Sequence, residues 1–157
     1  MSCWKTHAVV FIAGIPKGQP RARAKRGQLG VYDPGTANGW KELLAIGLRD
    51  SMPEHPLDGA VRVDVDFLMP RPKKFNKRTR AIYGVTNSKM PTGEVIHTGT
   101  PDIDNLHKAV LDTMTQMGYL RDDAVVCHGR ITKRYHAALS KPGAMITIQE
   151  FISGSPV

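Results

Sequence analysis

Asp102 and Asp104 stand two residues apart in TPDIDNLHKAVLDTM (100–114), at the start of what reads as a helix. Lys108 follows one turn later, and Asp122 and Asp123 lie just beyond the helix. Each residue alone has a structural explanation. Aspartate is a favoured N-cap, and negative charge at a helix N-terminus is stabilised by the helix dipole. Lys108, four residues after Asp104, would form a surface ion pair worth roughly a few tenths of a kcal/mol. One cap needs one aspartate, however, and Asn105 adds a third short polar residue. Clustered carboxylates cannot all ionise without a compensating cation, and carboxylate oxygens with room for water are the donors Mg²⁺ prefers. A divalent ion held there would face a phosphodiester, lower the pKa of a water nucleophile and stabilise the departing oxygen. Lys108 would add charge to the transition state or hold the scissile phosphate. This is the chemistry of a metal-dependent nuclease.

Other uses of a DxD pattern fit less well. An EF-hand loop counted from Asp102 would need glycine at its sixth position and glutamate at its twelfth, where His107 and Thr113 stand. An aspartyl-phosphate phosphatase would carry its DxD at the end of an apolar strand, and VIHTGTP is not one. No GxxxxGK[ST] or GxGxxG is present, so no small-molecule cofactor is expected. His97 and His107 lie near the acidic stretch without an HExxH context and read as surface or packing residues.

The acidic cluster sits in a basic chain. Lys and Arg total 22 against 14 Asp and Glu over 157 residues, a formal net charge of +8. An excess of this size points to a polyanionic partner, nucleic acid before membrane lipid or mere solubility. Cys3 and Cys127 have no CxxC spacing, which argues against a disulfide framework or zinc site and suits a reducing cytoplasm. The apolar run 8–14 is at the short limit for a signal sequence and leads into a basic stretch, so it reads as a first strand. No run approaches a membrane span. The expectation is a soluble, cytoplasmic protein.

The elements that must position these residues follow from periodicity. PKGQPRARAKRGQLGVYDPG (16–35), rich in Pro, Gly and cations, predicts a loop or irregular hairpin. In 36–52, Trp40, Leu43, Leu44, Gly47 and Leu48 mark one helical face. Val61, Val63, Val65, Phe67 and Met69 alternate with Arg62, Asp64 and Asp66 in a half-buried strand that Pro70 ends; Asp64 and Asp66 read as its solvated face. A long connection opens with six cations between Arg71 and Arg80 and has room for one short helix. Ile103, Leu106, Val110, Met114 and Met117 form the stripe of a second helix, with Gly118 as its stop. Strands near 124–133 and 144–151 close the chain as a hairpin, and 152–157 reads as a frayed tail. The order β-α-β-(loop)-α-β-β, with one clear βαβ crossover, predicts a single α+β domain over 1–157 with a small mixed sheet and two main helices.

TPDIDNLHKAVLDTMTQMGYLRDDAVV resembles the signature of the RusA-like Holliday junction resolvases, crossover-junction endodeoxyribonucleases often carried by phages and prophages. IPKGQPRARAKRG…VYDP, VRVDVDFLMPRPK and KRYHAALSKPGAMITI are similar to that family's N-terminal Pro/Arg segment, middle strand with basic loop, and closing strands. The resemblance implies that Asp102, Asp104 and Asp123 are metal-binding and catalytic carboxylates, Lys108 the catalytic lysine, and Asn105 a supporting residue. Asp122 is an alternative to Asp123, and Asp112 reads as structural. The family more often has a basic residue where Thr100 stands. The resemblance further implies Mg²⁺, with Mn²⁺ as a substitute, branched DNA as substrate, and a homodimer whose two-fold axis matches the junction's pseudo-symmetry. Charge runs nominate Arg21, Arg23, Lys25 and Arg26, with Lys73, Lys74, Lys77, Arg78 and Arg80, as DNA contacts that would make binding salt-sensitive.

A helix over 105–117 would be roughly 20 Å long, and the five residues from Gly118 to Asp123 reach about 17 Å at full extension. Asp123 therefore meets Asp102 and Asp104 only if the chain doubles back tightly or a partner subunit supplies it. The expected activity is Mg²⁺-dependent resolution of Holliday junctions by paired nicks on opposed strands. The alternatives are a nuclease acting mainly on flaps or forks, and a non-catalytic branched-DNA-binding protein.

Overall fold

The alternating apolar residues of 61–69 are all buried, and they make that segment, β4 (Val61–Met69), the centre of a five-stranded mixed sheet. In the computed structural model, which describes residues 3–21, 23–24, 31–32, 35–84 and 93–154, β4 has a partner on each side. β7 (Gly143–Ile152) pairs with it antiparallel, while β5 (Val126–His128) and β6 (Ile131–Tyr135) pair with it in parallel. β1 (Cys3–Ala13) pairs antiparallel with the outer side of β7. β2 (Arg23–Ala24) and β3 (Val31–Tyr32) form the small hairpin that the Pro/Gly-rich stretch predicts.

Two long helices, α1 (Asn38–Leu48) and α3 (Ile103–Gln116), share one core with the inward face of the sheet. Trp40, Leu44 and Leu48 of α1 and Leu106, Ala109, Val110 and Met114 of α3 meet Ile12, Val63, Phe67, Ile146 and Ile148 there. Each buried Leu, Ile, Val, Met or Phe among them stabilises the fold by roughly 1.5–3 kcal/mol on leaving water. Gly118 ends α3 in the left-handed region at φ 76°, and the Tyr119 N–H returns to the Met114 carbonyl at 2.8 Å. A short helix, α2 (Lys77–Ile82), opens at Asn76, whose side chain accepts the Thr79 N–H at 2.8 Å. The α+β class and the two main helices match the sequence reading. No described helix is long and apolar enough to cross a membrane.

Three expectations are corrected. The closing strands do not form a hairpin: β6 and β7 lie on opposite sides of β4, and the link 136–142 steps over its end, anchored by His136 N–H to the Met69 carbonyl at 3.0 Å. Alternation marks a segment as a strand but does not say which strand it adjoins. The expected strand 124–133 is a 3₁₀ turn, Asp123–Val125, followed by β5 and β6 with a break at Gly129 and Arg130. At that break β4 comes so close that a Cβ on Gly129 would lie 2.4 Å from the Val63 carbonyl oxygen. Third, Asp64 and Asp66 are half-buried and paired, not solvated. Arg62 bonds Asp64, the Arg130 N–H donates to Asp64 at 2.7 Å, and Arg134 and Thr132 both donate to Asp66. At the C-terminus β7 reaches Ile152, two residues follow it, and 155–157 lie outside the described residues.

Candidate active site

β1, β4 and β6 run parallel, so their carboxyl ends share one edge of the sheet. Open sheets with helical crossovers place ligand sites outside such ends. Three chain segments leave or arrive at that edge: the stretch after Ala13, the basic stretch after Met69, and the N-terminus of α3. Beside the α3 N-terminus lies an open cleft of about 680 Å³, lined by Glu94, Ile96, His97, Asp102, Ile103 and Asp104 and by Lys133 and Arg134 of β6, among others.

Asp102 takes the N-cap position of α3 with extended backbone (φ −68°, ψ 147°), yet its carboxylate makes no capping bond. Both Asp102 and Asp104 are exposed and line the cleft. The capping explanation therefore fails for Asp102. Asp104 lies in the first turn, where the dipole favours it, with the Arg21 guanidinium 3.8 Å away. Both groups in that pair are largely exposed, which makes it a weak contact. Lys108 does not pair with Asp104. Its ammonium bonds Asp112 at 3.0 Å, one turn further along.

The N-terminal arm is fastened to this helix end. Gln19 N–H donates to the Asn105 carbonyl at 2.8 Å. Gly18 lies so close that a Cβ there would stand 2.9 Å from the Asn105 Cβ and 3.2 Å from the Pro101 Cβ. Asn105 thus supports the arm through its backbone and Cβ. Arg21 follows at the rim. The backbone of Arg23 lies in β2, and Lys25 and Arg26 lie outside the described residues.

The second basic segment occupies the same edge. Lys73, Lys74, Lys77 and Arg78 are exposed and Arg80 is half-buried. Phe75 packs edge-on against Tyr135 of β6, and Tyr83 accepts the Ile96 N–H, so α2 is tied to the cleft wall. His97 also stacks edge-on against Tyr135, with centroids 4.8 Å apart, and burial lowers its pKa. Burial lowers that of His107 as well. Packing roles suit both rings.

Asp122 and Asp123 lie elsewhere. β5, which follows them, begins opposite Val61, the first residue of β4, so the two aspartates sit at the far end of α3. That helix, 14 residues long, spans roughly 21 Å at 1.5 Å per residue. Asp122 caps the 3₁₀ turn through the Ala124 N–H at 2.8 Å, while Asp123 is exposed. The chain does double back, but Asp123 marks the start of the return and not its end. Among the described residues no three His, Cys, Asp or Glu side chains gather as a metal site within one subunit.

The sequence reading passed over Lys133. On β6 it alternates in phase with Ile131 and Tyr135 and pairs across to buried Phe67, so it occupies the helix-facing side of the strand. A lysine in phase with the apolar residues of a strand was the available signal. Its ammonium donates to the carbonyls of Gly99 and Pro101, each at 2.7 Å. Burial pushes its pKa down, with the charge of Asp102 acting in the opposite direction.

Two exposed carboxylates near the carboxyl ends of parallel strands, with basic segments at the same edge, define a protein built to meet a polyanion. The comparison with known families is specific. The family model described as "Endodeoxyribonuclease RusA" matches residues 13–149, and the chain belongs to that family. It is 27% identical over 150 residues to "Uncharacterized protein YqaN" of Bacillus subtilis (strain 168), covering 96% of this chain and 98% of that protein. It is 24% identical over 139 residues to "Crossover junction endodeoxyribonuclease RusA" of Aquifex aeolicus (strain VF5), covering 88% and 86%.

Proposed function

We propose that the protein is a Mg²⁺-dependent, structure-specific endodeoxyribonuclease that resolves Holliday junctions by paired nicks on opposed strands. The observation that carries this reading is Asp102: a carboxylate in the N-cap position that does not cap, beside Asp104 in an open cleft. Family membership supports the same reading, and the relative named as a crossover junction endodeoxyribonuclease supports the choice of substrate.

The donors present suit Mg²⁺, which takes one or two protein carboxylates and fills its remaining positions with water and substrate phosphate. Asp102 and Asp104 would hold it, with Mn²⁺ as a substitute, and Asp123 of a second copy would be the third carboxylate of a homodimer. When bound, the ion supplies Lewis-acid activation of water and charge neutralisation at the phosphodiester. Lys108 exchanges its bond with Asp112 for the scissile phosphate or the departing oxygen. Arg21, with Lys73, Lys74, Lys77 and Arg78, holds the flanking backbone, and junction shape rather than base sequence guides recognition.

A gel assay on fixed and mobile four-way junctions, with flap and fork controls, tests this. Asp104→Asn should bind junctions as well as wild type but cut on the order of 10²-fold or more slowly in Mg²⁺. A wild-type protein that cuts no junction with any divalent metal would sink the proposal, and faster cutting of flaps or forks would move it to those substrates.

A further inference from the structure

Lys133 stands where the alternation of its strand calls for an apolar side chain. Removing an ammonium even partly from water is costly unless strong acceptors receive it; Lys133 is half-buried, and its acceptors are the carbonyls of Gly99 and Pro101, both at 2.7 Å. A methionine of similar length would fill the same space against Phe67 without that cost, so packing alone does not account for the charge.

The segment these bonds hold leads directly into the acid pair. On one side of it, His97 N–H donates to the Lys133 carbonyl at 3.2 Å; on the other, Leu106 N–H donates to the Asp102 carbonyl at 3.1 Å as α3 begins. Lys133 supplies the ties between these points, at residues 99 and 101. Asp102 is the next residue, and with no capping bond its own side chain does nothing to fix its direction. Lys133 also lines the cleft with Asp102 and Asp104, where a fixed positive charge offsets the repulsion between the two carboxylates.

We propose that Lys133 is the positioning residue of the acid pair: by clamping Gly99 and Pro101 onto β6, it sets where the Asp102 carboxylate meets the cleft. The meaning of that position for catalysis rests on the endonuclease reading above; the clamp itself does not.

Lys133→Met and Lys133→Arg test it with two readouts. The first is backbone amide exchange of the metal-free protein, followed by mass spectrometry. In Lys133→Met, peptides covering 97–104 should exchange about tenfold faster, while peptides from β4 and β7 hold their rates. The second is the Mg²⁺ concentration giving half-maximal junction cutting, which should rise about 10- to 100-fold. Lys133→Arg, which can still donate to two carbonyls, should recover part of both. Unchanged exchange at 97–104, or acceleration of all peptides together, would overturn the clamp, and a normal metal requirement in Lys133→Met would overturn its positioning of the acid pair. A wild type that never cuts would defeat the endonuclease reading alone, and the exchange rates would still decide the clamp.

Discussion

Asp66 and Asp102 are both aspartates beside cations, and their surroundings give them opposite duties. The Asp66 oxygens are engaged by Arg134 and Thr132, whereas Asp102 accepts no capping bond and faces a cleft. Burial alone would raise the Asp66 pKa, but the bonds from Arg134 and Thr132 outweigh it and hold the carboxyl below its ordinary 3.8. A carboxylate whose folded pKa is depressed contributes stability that is present above its unfolded value and lost as pH falls through the folded one. Asp66→Asn should therefore lower stability by about 1 kcal/mol at pH 7. The gap to wild type should close in denaturant melts taken below pH 3.8. A constant gap from pH 7 to pH 3 would mean that the charge on Asp66 is not what stabilises the fold. The spacing of Asp102 and Asp104 was legible in the sequence because it is local. The neutralisation of Asp66 was not, since Thr132 and Arg134 lie 66 and 68 residues away and meet it only through the register of β4 and β6; Asp64 has a local partner in Arg62, which the alternation reading overlooked.

At the scale of elements, the site depends on how the N-terminal arm rests on α3. That contact was invisible in the sequence, where Gly18 looked like loop composition. In the fold it is a close approach, since an added Cβ would press on the Cβ atoms of Asn105 and Pro101, which are held at the start of α3. Neither can swing aside as a flexible side-chain tip would. Gly18→Ala should lift the arm, lose the Gln19-to-Asn105 bond worth about 1 kcal/mol, and carry Arg21 away from Asp104. The expected result is a several-fold weaker junction affinity in the absence of metal, with thermal melting lower by only about 2–4 °C. Unchanged affinity would show that the arm is free of the DNA. Helix α3 and its glycine stop were readable because apolar spacing and a positive φ have local signatures. The partners of β6 and β7 were not, because pairing is decided by which edge of β4 each can reach.

For the whole molecule, the net charge of +8 is less telling than its distribution. Arg21 and the 71–80 segment stand at the same edge as Asp102 and Asp104, while Asp123 lies beyond the other end of α3, a helix of roughly 21 Å at 1.5 Å per residue. A rigid helix inside a packed core cannot shorten, so one subunit does not assemble the three carboxylates that the family resemblance implies. Two copies about a two-fold axis would do so if the far end of each α3 met the cleft of the other, and the same axis would match opposed strands of a four-way junction. Mixing a Lys108→Ala subunit with an Asp123→Asn subunit separates the possibilities. With Asp123 acting across the dimer, one site of each heterodimer carries both lesions and the other carries none. Such heterodimers should nick at about half the wild-type rate, the share expected of one intact site in two, yet release few resolved duplexes because the opposed strand stays whole. With Asp123 acting in its own subunit, each site carries one lesion and the heterodimers should be as inactive as either parent.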